Sequence, residues 1–325
     1  MKLLQNRIAE SWLTLPCVSL FAVGVWVLSG LLANGWWAQL TCMVISTYLL
    51  AELSNSNALL RVRSRMVSST FLVLSTTASF LFGSLAGGIV LLCFIATFII
   101  LFRTYQDPQT QGWTFYSFLC LSLSSLVWVH SLYFVPLIWL LAATQLQSLS
   151  WRSWLASLLA LLTPYWFASL WVLYQRDASL IASHFRPLID FSSPFDYQQW
   201  SIGQTGVFFF TISLLFIGAI HFLNRSFEDR IRIRQLYGFF FFVGLFSIVF
   251  LVLQPQHYDP LMRLIILCTA PMAAHFFTLT KTKVTNIFFC IALAIALLLT
   301  AVSLLGATWE SISTTMKQWS GLLSF

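Results

Sequence analysis

Charge is scarce in this chain of 325 residues, with only 8% charged side chains and ten acids among them. That scarcity excludes a water-soluble globule. With 59% hydrophobic residues and a mean hydropathy of +0.84, too little polar surface is left to solvate a fold of this size. Paired cysteines are missing too: Cys17, Cys42, Cys93, Cys120, Cys268 and Cys290 form no CxxC and fall within or at the ends of apolar stretches. They read as small core residues, which excludes a disulfide framework and a thiolate metal site. There is no GxxxxGK[ST], no HExxH, no GxSxG, and no polar stretch long enough for a nucleotide-binding domain. No cofactor and no metal is expected.

What the sequence has in abundance is long apolar runs. A bilayer core takes roughly 20 mostly apolar residues per helix, and eleven spans are read near 14–34, 36–53, 67–84, 87–104, 112–129, 131–147, 153–174, 206–223, 236–253, 261–279 and 287–309. Phe239 to Leu253 and Ile287 to Leu299 are apolar on nearly every face, unlike the alternating segments of a membrane barrel. The expected fold is therefore all-α, a polytopic membrane helix bundle forming a single transmembrane domain over 1–325.

Lys and Arg set the expected orientation, because they are retained on the cytoplasmic side during insertion. With the N-terminus inside, the inner segments hold Lys2, Arg7, Arg61, Arg63, Arg65, Arg103, Arg152, Arg225, Arg230, Arg232, Arg234, Lys281 and Lys283. The outer segments hold Arg176, Arg186 and Lys317, with Arg263 just inside the outer end of the tenth span, and the C-terminus falls outside. Basic inner loops against anionic lipid account for the net charge of +7, so no nucleic-acid partner is expected. Residues 1–13 place Leu4, Ile8 and Trp12 at helical spacing, followed by Leu15, and read as a short interfacial helix rather than a cleavable leader. Two inner clusters, Arg61-Val62-Arg63-Ser64-Arg65 and Arg230-Ile231-Arg232-Ile233-Arg234, lie six spans apart, as parallel repeats would place them.

The spans themselves hold almost no ionisable groups. No acid falls near a midplane, and His221 and His275 read as satisfied core histidines near inner helix ends, which argues against a proton-driven transporter. Small residues Gly83, Gly87 and Gly88 flank a tight outer turn, and Pro136, Pro164 and Pro271 fall inside spans where each removes one backbone hydrogen bond.

Polar groups collect on the expected outer face. The connection 175–205 carries Arg176, Asp177, His184, Arg186, Asp190, Asp196, Tyr197 and Trp200. It is too long for a plain turn and too apolar for disorder. Leu180, Ile181, His184, Phe185 and Leu188 predict an interfacial or re-entrant helix interrupted at Pro187. The outer loop 254–260 adds His257, Tyr258 and Asp259, with Arg263 one helical turn further on. Arginine forks hold phosphates, and a neutral histidine or a carboxylate accepts a proton from a sugar hydroxyl. The candidate site is accordingly Arg176, Arg186, Arg263 and Trp200 for substrate binding and His184, His257 and Asp259 for catalysis.

On the inner side, the polar link Glu52-Leu53-Ser54-Asn55-Ser56-Asn57-Ala58-Leu59-Leu60-Arg61-Val62-Arg63-Ser64-Arg65, Ser68 beyond it, and Arg152 opening a span that contains Pro164-Tyr165 carry a resemblance. In these features and in span order over most of its length, the chain resembles a family of polytopic inner-membrane proteins of Bacteroidetes-type bacteria. The resemblance implies a Gram-negative inner membrane and brings no activity with it. Such proteins are compared with sugar transferases that use polyprenyl-phosphate donors. Those enzymes place a catalytic acid in the first outer loop, whereas here Ala33-Asn34-Gly35-Trp36 has none. Two function classes follow: an envelope enzyme or carrier acting on a lipid-linked or amphipathic substrate, with membrane lipids and a polyprenyl-linked substrate as partners, or a non-catalytic subunit scaffolding other envelope proteins.

Overall fold

A computed structural model describes residues 3–62, 64–176, 179–190, 194–198 and 200–322, with side chains described through Gly306. Among these residues the chain is all-helical: α1 (Leu4–Glu10), α2 (Thr14–Leu28), α3 (Leu31–Asn34), α4 (Trp37–Ser56), α5 (Met66–Thr77), α6 (Leu85–Leu101), α7 (Gln111–Val127), α8 (Phe134–Thr144), α9 (Trp151–Gln175), α10 (Ser179–Phe185), α11 (Ile202–Arg225), α12 (Ile231–Leu253), α13 (Tyr258–Leu279) and α14 (Lys283–Leu322). Short 3₁₀ turns extend several of them, notably Val129–Tyr133 before α8 and Arg186–Leu188 after α10.

The bundle is organised around α13, in which every residue from Leu264 to Thr278 is buried. It is enclosed by α5, α6, α11 and α12, with α1 and α14 against its C-terminal half. Small residues allow this density. A Cβ on Gly218 of α11 would come within 2.8 Å of the Met272 backbone, and one on Gly244 of α12 within 3.1 Å of Cys268 Cβ. Glycine at these positions lets the helices approach closely without clashing. Conversely, α9 lies at the periphery, packed on α7, and turns Trp166, Phe167, Trp171 and Tyr174 outward as lipid-facing bulk.

Fewer than eleven of the described helices are long and apolar enough to count as crossings on their own. Among the described residues six helices are long and apolar enough to cross a membrane, or seven if α1 and α2, bent by 92°, form one broken span. The other expected spans are helical but fall short for identifiable reasons. At twelve residues, α5 is roughly 18 Å long against a hydrocarbon core of about 30 Å. α4 carries Gln39, Thr41, Ser46, Thr47 and Glu52 through its length, and the span expected at 131–147 is divided between the Val129–Tyr133 turn and the eleven residues of α8.

The N-terminal helix forms, and the side it turns to the bundle is largely polar. Gln5, Asn6 and Ala9 are buried whereas Leu4 and Trp12 are exposed. The cause is a polar clasp. Gln5 Nε2 donates to Phe277 O at 2.5 Å and to Thr280 Oγ1 at 2.6 Å, Asn6 Nδ2 donates to Thr280 O at 3.2 Å, and the Gln5 backbone N–H donates to Asn286 Oδ1 at 3.0 Å. This ties α1 across the α13–α14 junction, so hydrogen bonding rather than apolar burial sets its face.

These contacts separate two ends of the bundle. One holds α1, the α4–α5 link, the α11–α12 link and the α13–α14 junction, and with them Arg7, Arg61, Arg225, Arg232, Lys281 and Lys283. The opposite end gathers the α5–α6 turn, the segment after α10, and the starts of α11 and α13.

Candidate functional site

At the end opposite the arginine clusters, α13 begins with Asp259 and Arg263 on one face, four residues apart as helical geometry requires for side chains to meet. Arg263 Nε donates to Asp259 Oδ1 at 2.7 Å, and Arg263 Nη2 donates to the carbonyls of Leu81 and, at 3.4 Å, Ser84. The guanidinium thereby holds the α5–α6 turn. Gly87, at the first turn of α6, makes room for the pair, since a Cβ there would sit 2.4 Å from Asp259 Oδ2 and 2.7 Å from Arg263 Nε.

Beside the pair is a cavity of about 290 Å³ with a mixed wall, including Ser84, Trp200, Gln204, Gln256, Tyr258 and Asp259. Its aromatic side is fixed by hydrogen bonds to the backbone. Trp200 Nε1 donates to Pro255 O at 3.3 Å and the Tyr258 hydroxyl to Gln204 O at 2.8 Å, and the two rings meet edge to face with centroids 4.9 Å apart. A capping box in which Ser201 and Gln204 bond each other's backbone N–H starts α11 at the cavity edge. An aromatic wall, two amides, a hydroxyl and a carboxylate make a lining suited to polyhydroxylated groups.

Of the residues named from the sequence, the structure brings Trp200, Asp259 and Arg263 together. Arg263 has its charge met by Asp259 and its donors directed at carbonyls, so it acts as a fastening behind the cavity rather than an open fork. His257 faces away from Asp259 into an aromatic nest, its ring centroid 4.0 Å from His130 and 5.8 Å from both Trp128 and Phe250. His130 Nε2 in turn bonds Pro187 O at 3.1 Å, and the Tyr133 hydroxyl donates to Leu188 O at 2.5 Å, which docks the segment after α10 onto the bundle. Arg186 is exposed and paired with Asp190 at 2.9 Å, Arg176 caps α9 in a left-handed conformation, and His184 packs against Tyr165 and Phe185. None of these lines the cavity. No residue of α10 is buried. Asp177 lies outside the described residues.

A second constellation, at the opposite end, escapes sequence reasoning. Asp229, its side chain fully buried, accepts from Arg61 Nε at 2.6 Å and bonds His275 Nε2 at 3.1 Å. Arg61 also bonds Glu228 at 2.5 Å, and Arg225 bonds Glu228 at 2.8 Å. His221 lies beside His275 with ring centroids 5.6 Å apart, and the Nδ1 atoms of both are buried without a partner. So one nitrogen of His275 is satisfied, as a core histidine's would be, but through a carboxylate rather than a backbone carbonyl. The Asp229 hydrogen bond, reinforced by Glu228, pushes the pKa of Arg61 above the ordinary arginine value. Arg232 reciprocates by donating to Asn57 Oδ1 at 3.0 Å and Phe102 O at 3.2 Å. The two arginine clusters of the sequence thus interlock, each reaching the segment that carries the other.

Among the described residues no group of His, Cys, Asp or Glu has the geometry to hold a metal ion. Comparison of the chain with protein families, curated proteins and solved structures finds no match.

Proposed function

We propose that this protein is a multi-pass protein of a bacterial inner membrane that handles a lipid-linked or amphipathic envelope substrate at its outer face, as a glycan polymerase, transferase or carrier. The observation that carries the reading is the 290 Å³ cavity in which a carboxylate, amides and an aromatic wall converge at one end of an otherwise apolar bundle. In this reading a sugar lies against Trp200, is held by Gln204 and Gln256, and gives up a hydroxyl proton to Asp259. Arg263 acts by positioning that carboxylate.

The reading also sets the chain across the membrane eleven times, with its N-terminus inside and its C-terminus outside. The concentration of Lys and Arg at the α1 end supports this orientation. The short helix α5 is shielded by its neighbours. All of α5 except Val73 is buried, and three of its hydroxyls bond nearby carbonyls of the same chain segment: Ser69 to Arg65 O, Thr76 to Val73 O and Thr77 to Leu74 O.

A second reading, a non-catalytic subunit scaffolding an envelope assembly, is favoured by the segment 179–190, which has no buried residue and presents Ile189 at 80% exposure. Replacing the chromosomal gene with Asp259→Asn, Gln204→Ala or a deletion of 178–200 separates the two. Substrate handling predicts loss of an envelope glycan in both point variants at normal membrane abundance. A scaffold predicts that only the deletion has a phenotype, and that result would defeat the first reading.

A further inference from the structure

At the end of the bundle that carries α1, the 92° bend into α2 leaves a groove of about 560 Å³, well within the range of roughly 300–1,000 Å³ typical of ligand pockets. Its mouth and its depth differ in chemistry. At the mouth are Arg7, Ser11 and Thr14 from the α1–α2 corner, and Ser69 and Thr70 from the first turn of α5. Deeper, the wall is hydrocarbon: Val73 and Leu74 on α5, Phe210 and Leu214 on α11, Phe289 and Ala296 on α14. Ala296 lies thirteen residues into α14, so the groove reaches roughly 20 Å from the start of that helix, more than the half-thickness of about 15 Å of a hydrocarbon core.

The electrostatics of the mouth narrow the occupant. Arg7 makes no ion pair among the described residues, and neither do Arg65, Lys281 or Lys283. Lys281 and Lys283 belong to the junction on which Gln5 fastens α1. Thr70, 8% exposed and facing the groove, makes no side-chain hydrogen bond to a described residue. Water is a poor filling for a chamber so apolar at depth, because it would find few polar partners there. A molecule with a hydrocarbon tail and an anionic, hydrogen-bonding head satisfies both ends, as basic pockets between transmembrane helices do for acidic lipids.

We propose that the groove is a binding site for one anionic phospholipid, with an acyl chain lying between α5, α11 and α14 and the phosphate at Arg7, Ser11 and Thr70. The site stands apart from the Asp259 cavity and does not depend on its function.

Two native cysteines report on it. Cys17 is exposed and lines the groove, whereas Cys290 is exposed but lies outside its lining. The full chain in detergent micelles is mixed with phosphatidylglycerol or with phosphatidylcholine, and alkylation of each thiol by N-ethylmaleimide is followed by peptide mass spectrometry. Phosphatidylglycerol is expected to slow Cys17 relative to Cys290 about fivefold more than phosphatidylcholine does, the factor that one cation near the phosphate supplies. Arg7→Gln is expected to reduce phosphatidylglycerol to the level of phosphatidylcholine, and Arg7, being exposed, is replaceable without disturbing the fold. Equal slowing of Cys17 and Cys290, equal protection by the two lipids, or an undiminished preference in Arg7→Gln would each overturn the assignment.

Discussion

Arg263 and Asp259 form an ion pair within one turn of α13, only 12% and 28% exposed, and the space they occupy is the space a side chain on Gly87 would take. Because the guanidinium is also tied to the α5–α6 turn, the pair cannot swing aside freely. Gly87→Ala is therefore expected to destabilise the protein by about 1–3 kcal/mol, the usual cost of overpacking. Gly112→Ala, on α7 where a Cβ meets nothing within 4 Å, should instead stabilise by roughly 0.4–1 kcal/mol. Thermal unfolding of the two variants in detergent checks the opposite signs.

At the other end, the buried pair Arg61–Asp229 predicts an asymmetry. Arg61→Ala strands a fully buried carboxylate with His275 as its remaining side-chain partner, and is expected to cost about 3–5 kcal/mol. Asp229→Asn leaves a guanidinium that is 30% exposed and still finds Glu228, so its cost should be clearly smaller. A double-mutant cycle on unfolding free energies measures the coupling. Equal costs for the two single variants would show that desolvation of Asp229 is not the governing term.

How far the sequence anticipates this structure depends on what surrounds each segment. Helical class follows from composition, and the grouping of link segments by their arginines matches the two ends of the bundle. Crossing number is harder to read, because a helix surrounded by protein need not be apolar. α5 hides Ser69, Thr76 and Thr77 by bonding them to its own carbonyls, and no hydropathy window registers that. The Asp259–Arg263 pair is legible at four-residue spacing. The Asp229–His275 pair, 46 residues apart, is not, since it takes the packing of α11 and α12 against α13 to bring the link that carries Asp229 to His275.

The clasp on α1 has its own consequence. Gln5→Ala removes the hydrogen bonds to Phe277 O and to Thr280 and leaves the carbonyl of the buried Phe277 without its side-chain donor, at an expected cost of about 1–3 kcal/mol. The loss should be local. Hydrogen exchange should rise across residues 4–10 while α13 stays protected, and uniform deprotection of both helices would contradict the assignment.

The exposed Arg186–Asp190 pair should contribute little. At 78% and 62% exposure, it is worth about 0–0.5 kcal/mol, so Arg186→Ala should unfold within about one degree of the parent protein.

The most direct test of the account is the envelope glycan content of cells carrying Asp259→Asn as the only copy of the gene, compared with cells carrying Arg186→Ala at matched membrane abundance. The account predicts that the glycan is lost with Asp259→Asn and retained with Arg186→Ala. A wild-type glycan profile in Asp259→Asn cells would contradict it.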